Sequence, residues 1–415
     1  MDKKINQGEY VKNLILDISE KFENRLPCSS EEKNAAYAFS DQIKNETEVL
    51  PIVETFKTNP LSYIGIMPII GYMGYFAVLC FYLTPVLSFI ISIAILLLSL
   101  THLVFSKGTF DFLFKKHTSQ NVLAYIEPTQ EAEKTIILSS HIDSSWGKPL
   151  CFINTKTVII KMVISIISLV SIFLISLIAI CNGALDFTFW TTGIINSKEG
   201  IIQNFGYLIM FIMPAFSIPG LYWFTQYISL DKKQAPNGIL DNLTGCELAI
   251  SVFKHLNENK EVLPQNVRVI LALFGANKAG RKGSKYFIKK HKNEFTKDII
   301  NINLDTFYND SYTIIKNDAP ISGHFDNYLI DKCLFSMKDM GIEPIIKSQF
   351  FEGCDSSSFN QAKIKTITLC AKNMSLDNYT HTINDSIHLV DEQSLQTGFN
   401  IVNKIIDSIL KESNN

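Results

Sequence analysis

Residues 135–143 read TIILSSHID, a β-branched apolar run that stops on a histidine and an aspartate. A strand buried on both faces reads this way, with no polar alternation. Four further stretches share the pattern: QNVLAYI (120–126), VRVILALFG (267–275), IININLD (299–305) and KTITLC (365–370). Helical apolar spacing fills the intervals. It runs through GEYVKNLILDISEKF (8–22) and SSEEKNAAYAFSDQI (29–43), where Ser29 and Glu32 are spaced as a capping box, and recurs near 241–256, 281–293, 322–340 and 390–412. This order predicts an α/β fold: a mixed, mostly parallel sheet covered by helices on both faces. Ligands of such sheets sit beyond the carboxyl ends of the strands.

Two uncharged blocks interrupt the pattern. Residues 61–105 carry no Asp, Glu, Lys or Arg, about twice the length a bilayer span needs, and Thr84-Pro85 is the natural break. The second block holds apolar runs at 162–181 and 205–228. The chain is therefore expected to carry four inserted transmembrane helices, as a first pair over 61–105 and a second over 162–228 with an outer loop 182–203. The soluble domain is then discontinuous, built from 1–60, 106–160 and 229–415. An even number of spans returns these pieces to one side. Lys57, Lys107, Lys115, Lys116, Lys156, Lys161, Lys232 and Lys233 flank the spans there, whereas the outer loop holds only Asp186, Lys198 and Glu199. By the positive-inside rule the soluble domain of this multi-pass membrane protein faces the cytoplasm.

Composition narrows the function. A net charge of -2 over 415 residues argues against nucleic acid as a partner, and the eight scattered cysteines form no Cys-x-x-Cys pair. FGANKAGRKGS (274–284) spaces Gly275 and Gly280 as a phosphate loop does. Arg281 and Lys282 stand where that loop needs Lys and then Ser or Thr, so the magnesium-binding hydroxyl is missing.

The strand ends carry metal chemistry instead. His141 and Asp143 close one strand, Asp305 another, Asp241 opens the helix DNLTGCELAISVF, and YTHTINDSIHLVD (379–391) supplies His381 and Asp385. Taken singly, Asp241 reads as a helix N-cap, Asp305 as a turn former and His381 as a surface residue. Together, at the ends of consecutive elements, they are the ligand types of zinc. Asp143, two positions after His141, is spaced to accept the spare imidazole N–H and fix its tautomer.

These stretches resemble the co-catalytic zinc aminopeptidases of peptidase family M28, which also include glutamate carboxypeptidases and glutaminyl cyclases. RLPCSSEE (25–32) is similar to an Arg-x-Pro-Gly-Ser-x-Glu entry to the second helix, with Cys28 in place of the glycine. SSHIDSS resembles the family's His-x-Asp, NGILDNLTG its Gly-x-x-Asp-Asn-x-Ser-Gly, and INLDTF its Asn-Leu-Asp. CDSSSF (354–359) is similar to Ser-Asp-His-x-x-Phe, and HTINDS to His-Thr-x-x-Asp-Thr. The resemblance implies that His141, Asp241 and Asp305 bind one zinc, with Asp241 bridging to a second held by His381 and a glutamate. It also implies that Asp143 and Asp385 lie behind the ligands.

The resemblance fails at one turn. FGANKAGRKGS is the counterpart of Phe-x-Ala-Glu-Glu-x-Gly-x-x-Gly-Ser, so Asn277 stands at the general-base position and Lys278 at a zinc-ligand position. An amide takes no proton from water near neutral pH, and a positioned general base contributes roughly 10²–10⁴-fold. At about 4 Å and an effective dielectric near 20, an ammonium and a zinc ion repel by roughly 8 kcal/mol. The less costly arrangement has Lys278 among Asp241 and Asp305 as a fixed cation. The family's two zincs reduce here to at most one, or to none. The reading is a pseudoenzyme: a membrane protein that keeps a metallopeptidase domain for binding or regulation. The alternative is an active membrane-bound zinc aminopeptidase acting on membrane-proximal peptides, with a substitute base such as Glu352. The bilayer and a membrane-proximal peptide or membrane-protein partner are the expected partners, because the second span pair enters between His141 and Asp241.

Overall fold

The computed structural model describes residues 6–101, 108, 110–147, 155–190, 201–226, 233, 235–319, 322–350, 353–372 and 379–411. The chain divides into two compact units. The first comprises 1–60, 112–147 and 231–415; the second comprises 61–111 and 148–230.

In the first unit the chain runs α1 (Gln7–Lys21), α2 (Ser30–Thr47) and β1 (Ile52–Thr58). The elements α3 (Ile66–Leu83) and α4 (Pro85–Ser99) belong to the second unit, and β2 (His117–Ile126) and β3 (Lys134–His141) return to the first. The second unit is completed by α5 (Thr155–Cys181), α6 (Ile201–Ile212) and α7 (Ile218–Thr225). The remainder is α8 (Thr244–Glu258), β4 (Val267–Phe274), α9 (Lys282–His291), β5 (Asp298–Phe307), β6 (Tyr312–Ala319), β7 (Gly323–His324), α10 (Asn327–Asp339), β8 (Ile345–Phe350), α11 (Asp355–Gln361), β9 (Lys365–Ala371) and α12 (Glu392–Leu410).

The strands form one sheet in the order β1-β2-β4-β3-β5-β9-β6-β7, with β8 paired to β6. Its centre, β4-β3-β5-β9, is wholly parallel, and antiparallel pairs stand on either side. The expected fold class is met, and the apolar runs explain why. Along β3, Ile136 and Leu138 enter one buried cluster with residues of α1, α2, α8 and α12. Ile137 enters the opposite one with Phe287 of α9 and Phe359 of α11. Period-two side chains are thus buried on both faces, which favours a near-continuous apolar sequence, and the buried polar exceptions are paired, as Ser139 is with Asn303. Parallel pairing places His141, Phe274, Phe307 and Ala371 at the same sheet edge.

The second unit reverses the usual distribution of apolar surface. Along α3, Tyr72, Phe76, Leu79 and Leu83 are each more than half exposed, while Gly71 and Gly74 face inward onto Thr225 and Leu221. Close contacts at small residues recur: Ser176 donates to Ser88 at 2.9 Å, and Ser165 donates to the Gly220 carbonyl at 2.7 Å. Helices that associate in lipid pack on small residues in this way. Lys161 Nζ lies 3.9 Å from the centre of the Trp223 ring. Among the described residues, three helices are long and apolar enough to cross a membrane: Ile66–Leu83, Ile160–Cys181 and Leu208–Thr225. The break falls where expected, since Thr84 is extended and Pro85 opens α4 with its fixed φ. The helix after it, Pro85–Ser99, is shorter than a span; it was expected to run to 105, and 102–107 lie outside the described residues. So do 191–200 of the outer loop and Lys107, Lys232 and Glu352.

Candidate metal centre

The centre of the site is the turn 239–243, which leads into α8. Asp241 was open to reading as a helix cap, but Asn242 does that work. Its Oδ1 accepts from Gly245 N at 3.1 Å and from Thr306 N at 2.8 Å, while its amide donates to the Leu304 carbonyl. The Asp241 carboxylate is left for other partners. Arg25, fully buried, holds the approach to this turn by donating to the carbonyls of Phe22, Ile142 and Gly238. Asp385 Oδ1 accepts from Leu240 N at 2.9 Å. Residues 240 and 241 are thereby fixed from two sides.

His141 ends β3 with its Nε2 3.0 Å from Asp241 Oδ1. Its other nitrogen does meet Asp143, but mainly through the main-chain carbonyl at 3.0 Å, with carboxylate Oδ1 at 3.5 Å. The carboxylate is used elsewhere: Oδ1 accepts from Asn277 N at 2.9 Å and Oδ2 from Lys278 N at 2.8 Å. Asp305 sits in β5 at a register shift against β9, beside Thr306 in a left-handed conformation. Such an irregularity redirects a strand side chain, and it brings Asp305 to the cluster. One ligand atom from each of His141, Asp241 and Asp305 lies within 4.8 Å of the others.

This trio fits one zinc. The donor set is an imidazole and two carboxylates. His141 Nε2 and both Asp241 oxygens are buried but lack a partner with hydrogen-bond geometry, although charged neighbours stand at contact distance.

The other half of the site is different. Lys278 Nζ lies 2.7 Å from Asp241 Oδ2, and His381 Nδ1 lies 3.1 Å from the same oxygen. Ser145 Oγ also contacts His381 Nδ1. Burial alone would push the Lys278 ammonium toward neutrality; Asp241 and then Asp305 override it and raise its pKa. Asp241 shows the converse, since burial would raise its pKa but Lys278, His381 and His141 hold it well below the carboxylate range. Burial and Lys278 oppose a charge on His141, yet its bonds to Asp143 and Asp241 raise its pKa to about 10. Lys278 is thus the cation paired with the central carboxylate.

The shape of the 274–284 turn is set from outside the turn. Ala276 N donates to Glu32 Oε1 at 2.7 Å, so Glu32 and Asp143 take three successive amides. The capping spacing is met from the Ser29 side, whose Oγ accepts from Glu32 N at 3.0 Å; Glu32 itself accepts from Cys28 N at 2.8 Å, and neither that bond nor the long-range one to Ala276 had a sequence signal. Asp355 was likewise missed. It is buried beside Asn277 and Ser284, and burial raises its pKa to about 6.

Residues 229–406 match the family model described as Peptidase family M28. Among solved structures, a zinc aminopeptidase from Bacillus subtilis aligns at TM-score 0.54 and 12% identity, over 98% of this chain and 96% of that one. A glutaminyl cyclase from an Acidobacteriales bacterium aligns at 0.53 and 12%, over 98% and 95%. The LapA aminopeptidase of Legionella pneumophila aligns at 0.52 and 8%, over 97% and 71%. At such identities the likeness is one of fold. No curated protein matches the chain.

Proposed function

Because residues 229–406 belong to peptidase family M28, we propose that the chain is a multi-pass membrane protein whose peptidase-like unit is catalytically impaired and acts in binding or regulation. The observation that carries this reading is the Lys278 ammonium 2.7 Å from Asp241 Oδ2, where the resemblance calls for a glutamate and a metal. His141, Asp241 and Asp305 would hold one zinc, with Asp143 and Asp385 behind them. A zinc held there would act as a Lewis acid. The remaining groups do not complete a peptidase. Asn277 has no lone pair basic enough to accept a proton from water at neutral pH, and Lys278 supplies charge balance instead of a ligand.

The outward apolar face of α3 and the small-residue contacts inside the second unit support insertion in a bilayer. Four spans, with Pro85–Ser99 as a short one, agree with the flanking lysines in putting the first unit on the cytoplasmic side. The second apolar pair enters the chain between His141 and Asp241. Some twelve to eighteen residues link site and span on each side, and even twelve, fully extended, reach at most ~40 Å. Membrane-proximal peptides or a membrane-protein partner are therefore the natural ligands.

The intact His141–Asp241–Asp305 trio favours a second reading, an active single-zinc peptidase. An aminopeptidase assay on the purified chain, run beside the Asn277→Glu/Lys278→Glu variant, separates the two. The proposal expects no turnover by the native chain. Zinc-dependent turnover by the native chain would establish the second reading.

A further inference from the structure

The first unit carries an exposed aromatic and basic corner that the site does not use. Residues Asp111–Leu113 form a single 3-10 turn, on which Phe112 is 77% and Leu113 52% exposed. Lys115 and Lys116 follow, both exposed. Asn59 Nδ2 donates to the Phe114 carbonyl at 2.5 Å, which pins this segment beside the end of β1. In the antiparallel β1–β2 pair, Thr58 pairs with His117 and Lys57 with Thr118, so the exposed Lys57 joins the same corner. The nearby acids do not cancel it. Glu54 is buried and bound to Lys290 and His291, and Asp111 folds its carboxylate back toward Gly108.

We propose that Phe112 and Leu113, together with Lys57, Lys115 and Lys116, dock on the headgroup layer of an anionic phospholipid leaflet. This rests on the membrane reading of the second unit. Charge complementarity selects the lipid, because three exposed lysines accompany two exposed apolar side chains. Continuity of the chain supplies the second argument. Lys57 lies within ten residues of the start of α3, and Phe112 follows α4 by fewer than fifteen. Aromatic side chains favour the membrane–water interface. A lysine near an anionic surface contributes about 1 kcal/mol, roughly fivefold in binding.

The test is hydrogen exchange of the full chain in nanodiscs of phosphatidylcholine alone or with added phosphatidylserine. Amides 110–116 should exchange about tenfold or more slowly when phosphatidylserine is present. Lys57→Gln/Lys115→Gln/Lys116→Gln should abolish that difference, and Phe112→Ser/Leu113→Ser should speed exchange in both lipids. Equal exchange in the two lipids, with 66–83 protected in both, would overturn the inference alone. Unprotected 66–83 in every disc would instead remove the membrane reading beneath it. Protection by a soluble acidic peptide in phosphatidylcholine discs would assign the corner to a protein partner and likewise overturn the proposal.

Discussion

Asp241 divides the site into two halves that meet on one carboxylate. On the Oδ1 side stand His141 and, nearby, Asp305, a donor set that a metal would complete. On the Oδ2 side stand Lys278 and His381, and a cation is already built into the chain. The contrast shows that one carboxylate can border an open donor set on one oxygen and an internal cation on the other. Glu32 and Asp143 hold the 276–278 turn through main-chain amides. Those bonds are indifferent to the side chains at 277 and 278. Fold and chemistry are encoded in different atoms of the same three residues, so the side chains could change while the turn stayed.

The sharpest way to break this contrast is Lys278→Glu. In the absence of metal it replaces an attraction to Asp241 by a repulsion. Each is about 4 kcal/mol at 4 Å and an effective dielectric near 20, so the swing approaches 8 kcal/mol before relaxation. The variant should melt far below the native chain with chelator present and recover with added zinc; thermal melts with and without zinc test this. Asp241→Asn comes next. It leaves Lys278 and His141 without their shared anion, and loss of one member of a buried ion pair costs about 3–5 kcal/mol. Denaturant titration in chelator should report that loss.

Asp143→Asn probes what the halves share. Charged hydrogen bonds contribute about 1.5–3 kcal/mol each, and one of the two amides at 277 and 278 must lose its acceptor. A destabilisation of about 2 kcal/mol is expected, with faster hydrogen exchange confined to 276–280. Uniform exchange changes would show that the turn is shaped by something else.

The smallest effect is expected at Glu247, six positions from Asp241 and equally buried. It has an amide for a partner, Gln42 Nε2 at 2.8 Å, and among the described residues no cation pairs with it. Burial raises its pKa to about 8, the opposite of Asp241. A raised carboxyl pKa gives stability that is complete below the unfolded value near 4.3 and is lost as pH rises toward 8. Glu247→Gln keeps an acceptor for Gln42 and removes the titration. It should match the native chain near pH 4 and exceed it at pH 8 by at least about 1 kcal/mol. Equal stability at both pH values would mean that Glu247 is charged in the fold.

Much of this was legible in the sequence, and the exceptions follow one rule. The sheet was readable because strands buried on both faces are near-continuous apolar runs, with the buried Asn301 and Asn303 paired to Thr366 and Thr368. The break at Thr84-Pro85 was readable because proline fixes its own geometry. His141 and Asp305 could be gathered from strands and Asp241 and His381 from the segments around them, and Lys278 lies beside Asp241, where its charge required. The roles of Glu32 beyond its cap, of Ser145 and of Asp355 were not legible, because they depend on contacts between distant segments. Asp143 was assigned to the imidazole by its spacing of two; its carboxylate faces the 277–278 turn, more than a hundred residues downstream, which local spacing cannot reveal.

The central claim is that the Lys278 ammonium occupies the place of one metal. Zinc stoichiometry of the full chain, titrated to saturation and counted by elemental analysis, tests it directly. The account predicts no more than one zinc per chain, rising by one in the Asn277→Glu/Lys278→Glu variant. Two zincs bound by the native chain would contradict it.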